Sequence, residues 1–480
     1  MNRTFVILLF YAINTFLFPQ KLTEELQKYL IQYRINKNIP SISAGISVKG
    51  KIFWLGASGY SDVENSVNVN TGSIYRAASI SKSITAVAVM QLIEQGKLAL
   101  DENVNKYIPY FPPKKWKFTI RQLLNHTSGI RDYRSGEFNS KDFYPSVREA
   151  INLLKKDSLQ FKPGTKYSYT TLGYNLLAAV VEQISGMTFR SYLKKFIFEP
   201  LGMSSTDIEY QREILHNRAR GYTKNVYRML ENAPLADLSV KPAGGGMIST
   251  AEDLLKFADG LLLGKLIKNS SLELMLKPTV INKDTFFYGF GFQIRKDDKA
   301  RFYFGHPGTG TGFKSELVIY PEDSLAAVYL VNVRDRNTDN PALILSSIFL
   351  DKNYHVPKKS LADALVNIVI RKDIDSAMIA SKILIADSGS VYDTSKSELL
   401  LFGYDLIEMN KIPEAIIFFK SLTAQYPNLS KAFVGLADAY YKDNNKGLAQ
   451  RNYRTAVRLN PLDIYAANMI RKLQGYTRTR

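Results

Sequence analysis

Apolar residues recur at Leu22, Leu26, Leu30 and Tyr33, a helical spacing that predicts an amphipathic helix over 22–35. The next stretch, SISAGISVKGKIFWLGASGY, alternates on both sides of Lys49-Gly50-Lys51 and reads as a β-hairpin. Residues 76–96 are apolar on most faces, which predicts a long buried helix with Gly96 as its C-terminal stop. From about 97 to 270 the pattern is mostly helical, with turns at FPPKK, HTSG and KPGT. Strand character returns at FYGFGFQI, ARFYFGHPG and KSELVIYPEDSLAAVYLVN, and PALILSSIFLD then reads as a helix. Strands early, helices in the middle and strands late predict an α+β fold. Its antiparallel sheet is closed by both ends of the domain, flanked by helices, and interrupted by an inserted helical region.

A break follows at DKNYHVPKKS, and everything beyond it is helical. Positions 34 apart then match: Ala415 with Ala449, Phe419 with Tyr453, Pro427 with Pro461, Leu399 with Phe433, and Phe402 with Leu436. A small residue lets two helices approach, an aromatic four residues on fills the space to the next pair, and a proline ends the second helix. This pattern resembles tetratricopeptide repeats, with units at 396–429 and 430–463 and a closing helix from Ile464. Residues 361–395 resemble a preceding helix pair that lacks the pattern. The expected domains are therefore a leader over 1–19, a first domain over 20–350, a linker and helix pair over 351–395, and an all-α repeat module over 396–480. The module reads equally as a spacer or as a groove for a protein or peptide partner.

The leader is read from Arg3, an apolar run over 5–13, the interruption at Asn14 and Thr15, and Pro19. The run is shorter than the about 20 apolar residues that a membrane span needs. It fits a secretory signal, so the expected location is periplasmic or extracellular, with an uncleaved membrane anchor as the alternative. The net charge is +19, yet no basic tract or arm concentrates it, which argues against nucleic acid and leaves peripheral association with an anionic envelope open. There is no cysteine, which removes disulfides, thiol catalysis and cysteine metal sites. The four histidines form no pair at metal spacing, and no cofactor is expected.

Candidate chemistry centres on YRAASISKSITA. Ser79 and Lys82 lie one helical turn apart, at the start of the buried helix, where backbone N–H groups favour developing negative charge. A serine hydroxyl is a weak nucleophile until a neighbour takes its proton. A lysine serves if burial lowers its pKa, or it stays charged and activates a second group such as a tyrosine. Spacing alone does not decide the matter, because Ser191 and Lys194 share it.

Five stretches separate the two pairs. YRAASISKSITAVAVMQLIEQGKLALDENVNKYIP, TIRQLLNHTSGI, FKPGTKYSYTTLGYNLLAAVVEQISG, PAGGGMISTAEDLLKF and FGHPGTGTGFKSELVIYPE follow in order. Together they resemble the penicillin-recognising serine hydrolases, in the class C β-lactamase and esterase branch, over roughly residues 38–350. The resemblance makes Ser79 the acylating serine and Lys82 its lysine. It gives Tyr169 the role of base, and of acid toward the leaving group. Thr171 stands where the family usually has asparagine, and a hydroxyl has shorter reach and one donor. His306-Pro307-Gly308 occupies the third motif, and the oxyanion hole falls to the N–H groups of Ser79 and Thr309. His126 has no counterpart in the resemblance and is expected to bond backbone in a tight turn. Gly244–Gly246 read as a turn at the site wall. Histidine in place of the lysine found in β-lactamases weakens carboxylate attraction at that position.

The resulting expectation is a secreted serine hydrolase that forms an acyl-enzyme on an ester or amide, of esterase or D-amino-acid peptidase type. Its substrate is a small-molecule or peptide acyl compound. A β-lactamase or penicillin-binding DD-carboxypeptidase is the alternative within enzymes. A penicillin-binding sensor or scaffold without turnover is the alternative of another class.

Overall fold

The computed structural model describes residues 4–336, 339–352, 356–387 and 390–474, the side chains of 4–19 excepted. The leader expected over 1–19 falls on residues outside that description, beyond the backbone of one helix, α1 (Thr4–Asn36). Among the described residues no helix is long and apolar enough to cross a membrane. The chain forms two units: one holds residues up to Thr223 together with Asn232–Val356, and the other holds Lys224–Glu231 with residues from Pro357.

In the first unit the predicted hairpin is β1 (Ser41–Val48) and β2 (Lys51–Asp62), turning through Lys49 and Gly50, both at positive φ. A short β3 (Val67–Asn68) follows. The late strands are β4 (Gln293–Lys296), β5 (Phe302–Gly310), β6 (Phe313–Tyr320) and β7 (Leu325–Val331). They join the hairpin in one antiparallel sheet of order β4-β5-β6-β7-β1-β2-β3. The register pairs Ile42 with Val331 and Val48 with Leu325, so the chain's early and late segments meet at the sheet centre.

Both faces of β1 are buried, because both are covered. On one side Ser47 Oγ donates to Asp259 Oδ1 at 2.8 Å, and Gly45 abuts Leu255; both partners lie on α4 (Ala251–Leu262). On the other side Phe53 meets Phe349 of α5 (Pro341–Asp351) edge to face. Helix α1 lies along β2, where Gln27 donates to the Ala57 carbonyl and Arg34 to Ser58 Oγ.

The long helix expected over 76–96 is broken at its start. Tyr75–Arg76 pairs as a short strand, Ala78–Ile80 is a single 3₁₀ turn, and α2 (Ser81–Glu94) follows, ending before Gly96 at φ 70°. The region read as mostly helical contains α3 (Leu172–Ser185) and several shorter helices, such as Ile120–Leu124 and Asn269–Met275, separated by irregular segments. Prolines and glycines in FPPKK, HTSG and KPGT break helical periodicity more often than the apolar pattern suggests.

Among its described residues from Pro357 on, the second unit is helical apart from one short strand pair. Its helices are α6 (Leu361–Arg371), α7 (Ile374–Ala386), α8 (Lys396–Glu408), α9 (Ile412–Gln425), α10 (Ser430–Lys442), α11 (Lys446–Leu459) and α12 (Ile464–Leu473). Helices α8 and α10 start 34 residues apart, as do α9 and α11. Phe419 of α9 sits where Gly403 and Gly435 leave room; a Cβ at either glycine would approach its ring to 2.4 or 2.3 Å. Ala415, Ala449 and Tyr453 are buried in the same core. Within this unit Arg228 pairs with Asp405, and with Asp363 at 3.2 Å, so 224–231 belongs with the helices although sequence reading placed it in the first domain.

Candidate active site

Ser79 sits in the 3₁₀ turn, half-buried, directly before α2. Ala78 precedes it with φ 49°, a left-handed conformation that a side chain disfavours and that surrounding structure must enforce. The restraints are visible. Ala77 N–H donates to the Met247 carbonyl at 2.9 Å, Ser315 Oγ donates to the Ala77 carbonyl at 2.9 Å, and Ser81 Oγ donates to the Ala78 carbonyl at 2.6 Å.

Lys82, one turn on, is fully buried. Its Nζ donates to Ser79 Oγ at 3.1 Å, Thr171 Oγ1 at 3.2 Å and the Gly244 carbonyl at 2.5 Å. Among the described residues it has no ion pair. Burial pushes its pKa down to about 7, with Lys241 acting the same way and Asp132 opposing. Thr171 closes the approach to α3, and its N–H donates to Asp132 Oδ1 at 2.8 Å. The hydroxyl in place of the family's amide therefore still reaches the lysine. Gly244 is bare for a reason: a Cβ there would lie 2.4 Å from the Thr171 carbonyl. Glycine at this position brings its own carbonyl to Lys82.

Tyr169 stands over the pair, with Lys82 Nζ 4.7 Å from its ring centroid. Burial drives its phenol pKa well above the ordinary value, and the Ser79 hydroxyl pulls the other way. The phenol is neutral at pH 7. Around it pack His126, at 4.3 Å between ring centroids, and Tyr288, at 6.0 Å. His126 is buried at φ 61°, and its Nδ1 accepts from the Thr170 N–H at 3.2 Å. Burial, with Lys82 and His306 adding to it, keeps the ring uncharged. It thus bonds backbone, but that of the Thr170 segment 44 residues on and not of its own turn. That turn follows helix Ile120–Leu124, which starts with a capping box between Thr119 and Gln122.

His306, on β5, is buried as well. Its Nδ1 lies 2.7 Å from the Pro307 carbonyl and its Nε2 3.1 Å from the Tyr288 hydroxyl. Burial, and to a lesser extent Lys82, push its pKa down to about 3, so it brings no charge. Pro307 pairs with Glu316 on one side and lies beyond the end of β4 on the other, where no partner needs its missing N–H. Gly308 lets β5 press against the nucleophile turn: a Cβ would meet the Ala77 carbonyl at 2.5 Å and Ala78 Cβ at 3.2 Å. Thr309 follows, exposed, and lines one cleft with Ser79, Thr171 and Lys241. The structure thus brings together Ser79, Lys82, Tyr169, Thr171, His306, Gly308 and Thr309. Ser191 and Lys194 are exposed, and Ser191 serves the cap of helix Phe189–Leu193.

Sequence reasoning missed Asp132, Tyr288 and Lys241, and missed the Gly244 carbonyl as a partner of Lys82.

This geometry coincides with a family match. Residues 21–346 match the beta-lactamase family model. The chain belongs to the beta-lactamase family. It is similar to the human serine beta-lactamase-like protein LACTB, mitochondrial, at 33% identity over 379 residues, spanning 59% of this chain and 69% of the relative. It is similar also to penicillin-binding protein 4* of Bacillus subtilis, at 27% identity, spanning 78% of this chain and 87% of the relative. Among solved structures, a D-amino acid amidase from Ochrobactrum anthropi complexed with L-phenylalanine amide superposes with a TM-score of 0.56 at 25% identity, covering 65% and 92% of the two chains. The fold is that of the family's serine hydrolases, and this chain is a serine hydrolase.

Proposed function

We propose that the protein hydrolyses an ester or amide through an acyl-enzyme on Ser79, as an esterase or D-amino-acid peptidase. The observation that supports this most is Lys82 Nζ, 3.1 Å from Ser79 Oγ, buried and without an ion pair among the described residues. A lysine with its pKa near 7 holds a free lone pair in a large share of molecules at neutral pH, which suits a general base. The resemblance assigned proton abstraction to Tyr169, but a phenol whose pKa burial raises stays protonated at neutral pH, so it cannot accept the serine proton and instead holds one to give. Lys82 therefore takes the Ser79 proton as the Oγ–carbonyl bond forms. The N–H groups of Ser79 and Thr309 bind the oxyanion. The carbon–leaving-group bond then breaks while Tyr169 donates its proton to the departing atom, and Lys82 reprotonates Tyr169. Water adds to the acyl carbon by the same route in reverse and frees Ser79.

The 34-residue recurrence of helix starts supports reading 396–463 as tetratricopeptide-like repeats that offer a surface to a protein or peptide. The N-terminal apolar run supports export. The test of the central reading is a panel of short-chain esters, D-amino-acid amides and a chromogenic cephalosporin, run on the parent and on Ser79→Ala. Turnover of esters or amides that disappears in Ser79→Ala is expected. Cephalosporin turnover exceeding both would move the reading to a β-lactamase.

A further inference from the structure

Lys241 lines the cleft that holds Ser79, and its part so far is only to help lower the Lys82 pKa. The residue is 3% exposed. Its Nζ donates to the Phe138 carbonyl at 2.8 Å and lies 4.1 and 5.2 Å from the ring centroids of Phe138 and Tyr133. No carboxylate pairs with it among the described residues. An ammonium carries three donors, and one hydrogen bond leaves it under-satisfied. Holding such a charge out of water without a paired counterion is costly, and burial, with Arg76 and Arg334 nearby, pushes its pKa down to about 7 against the weaker opposing pull of Asp132 and Glu209, neither of which forms an ion pair with it.

Arg334 lies 4.8 Å over the Phe138 ring but is exposed to water, and the other cations near the site are already engaged. Arg76 grips Glu209 through two nitrogens at 2.6 and 3.2 Å and also donates to the Thr311 and Ala236 carbonyls. Lys82 is held by Ser79, Thr171 and Gly244. Lys314 pairs with Asp335 at 3.2 Å. His306 is neutral. Among the described residues, Lys241 is the buried cation of this cleft with a single hydrogen bond and no ion pair.

We propose that Lys241 is the specificity-determining residue of the Ser79 cleft and receives a carboxylate carried by the substrate. The inference rests on the hydrolase reading for the reaction but not for the binding. It supplies, from the loop before the Gly244–Gly246 turn, the attraction that His306 does not. The carboxylate sits either on the acyl group or on the leaving group, and matched substrates distinguish the two. One pair is a glutaryl and a valeryl ester of p-nitrophenol; the other is N-acetyl-D-alanyl-D-alanine and its amide. The parent should favour the anionic member of one pair by about tenfold to a hundredfold in kcat/KM, the usual worth of a buried charge-assisted contact. In Lys241→Met that ratio should fall to about twofold or less, on the same contact argument. Lys241→Gln, which keeps a donor for the Phe138 carbonyl, should behave alike. A variant damaged only in packing lowers both members of a pair together and leaves the ratio, which would overturn the proposal. So would a parent that treats both members of both pairs alike. Calorimetric titration of glutarate into Ser79→Ala, with and without Lys241→Met, reads the site without turnover. Lys241-dependent binding with no hydrolysis of any substrate would overturn the hydrolase reading and uphold this one. Hydrolysis without charge preference or Lys241-dependent binding would do the reverse.

Discussion

Replacing Gly308 by alanine tests how the sheet positions the oxyanion donor. The new methyl would start 2.5 Å from the Ala77 carbonyl and 2.1 Å from Ser315 Oγ. The serine can rotate, at the loss of its hydrogen bond to Ala77, but the carbonyl is backbone and part of the turn that carries Ser79. Bringing that contact out to an ordinary 3.4 Å requires β5 and the turn to separate by about 0.9 Å. The N–H of Thr309 is on the next residue of β5 and moves with it. A displacement of about 1 Å at a positioned group costs on the order of 10²-fold, and loss of one oxyanion donor costs about 10²–10³ in kcat. Gly308→Ala should therefore lose about 10²-fold in kcat toward an activated ester, with a smaller change in KM. Initial rates with p-nitrophenyl esters, alongside far-ultraviolet circular dichroism and a melting curve, provide the measurement. A folded Gly308→Ala enzyme with parental kcat would refute the reasoning, because it would show that β5 does not place the donor.

Other outcomes follow from the same geometry. Because Lys82 must be unprotonated to accept the serine proton and its pKa is near 7, kcat/KM should rise with pH up to about 7 and level off above it; a flat profile from pH 5 to 9 would contradict this. Tyr169→Phe should lose about 10²–10⁴ in kcat for an amide but much less for a nitrophenyl ester, whose leaving group needs no proton, as paired rate measurements would reveal. In the helical unit, Phe419→Ala empties the space between Gly403 and Gly435 and should cost about 3–5 kcal/mol, read from urea unfolding of the full chain followed by helical signal.

Much of the site was legible because its parts sit in local motifs. Ser79, Lys82, Tyr169 and His306 each lie in a short stretch whose residues must lie together for local reasons: a helix start, a turn before a helix, a strand beside the nucleophile. The hairpin was legible because alternation and a turn at Lys49-Gly50 leave few other readings. The roles were less legible than the positions. Whether lysine or tyrosine takes the proton depends on burial, which comes from residues more than 80 positions away, such as Thr171 and Gly244 around Lys82. Tyr288 and Lys241 carry no local mark: one lies in an aromatic strand-like run and the other beside a proline, and only the tertiary fold turns them toward the cleft. The region over 97–270 looked more helical than it is, since its apolar residues pack against α2 and α3 from irregular segments as readily as from helices. Residues 224–231 read as part of the hydrolase domain because their bonds to Asp363 and Asp405 are made across a long sequence separation.

The central claim is an acyl-enzyme on Ser79, and intact-protein mass spectrometry of the enzyme quenched during turnover of an activated ester tests it most directly. A mass increase of one acyl group, mapped to the peptide holding Ser79 and absent from Ser79→Ala, is the predicted result. An equal adduct on Ser79→Ala, or turnover by the parent with no adduct at Ser79 even under acid quench and with slow-leaving acyl groups, would contradict the account.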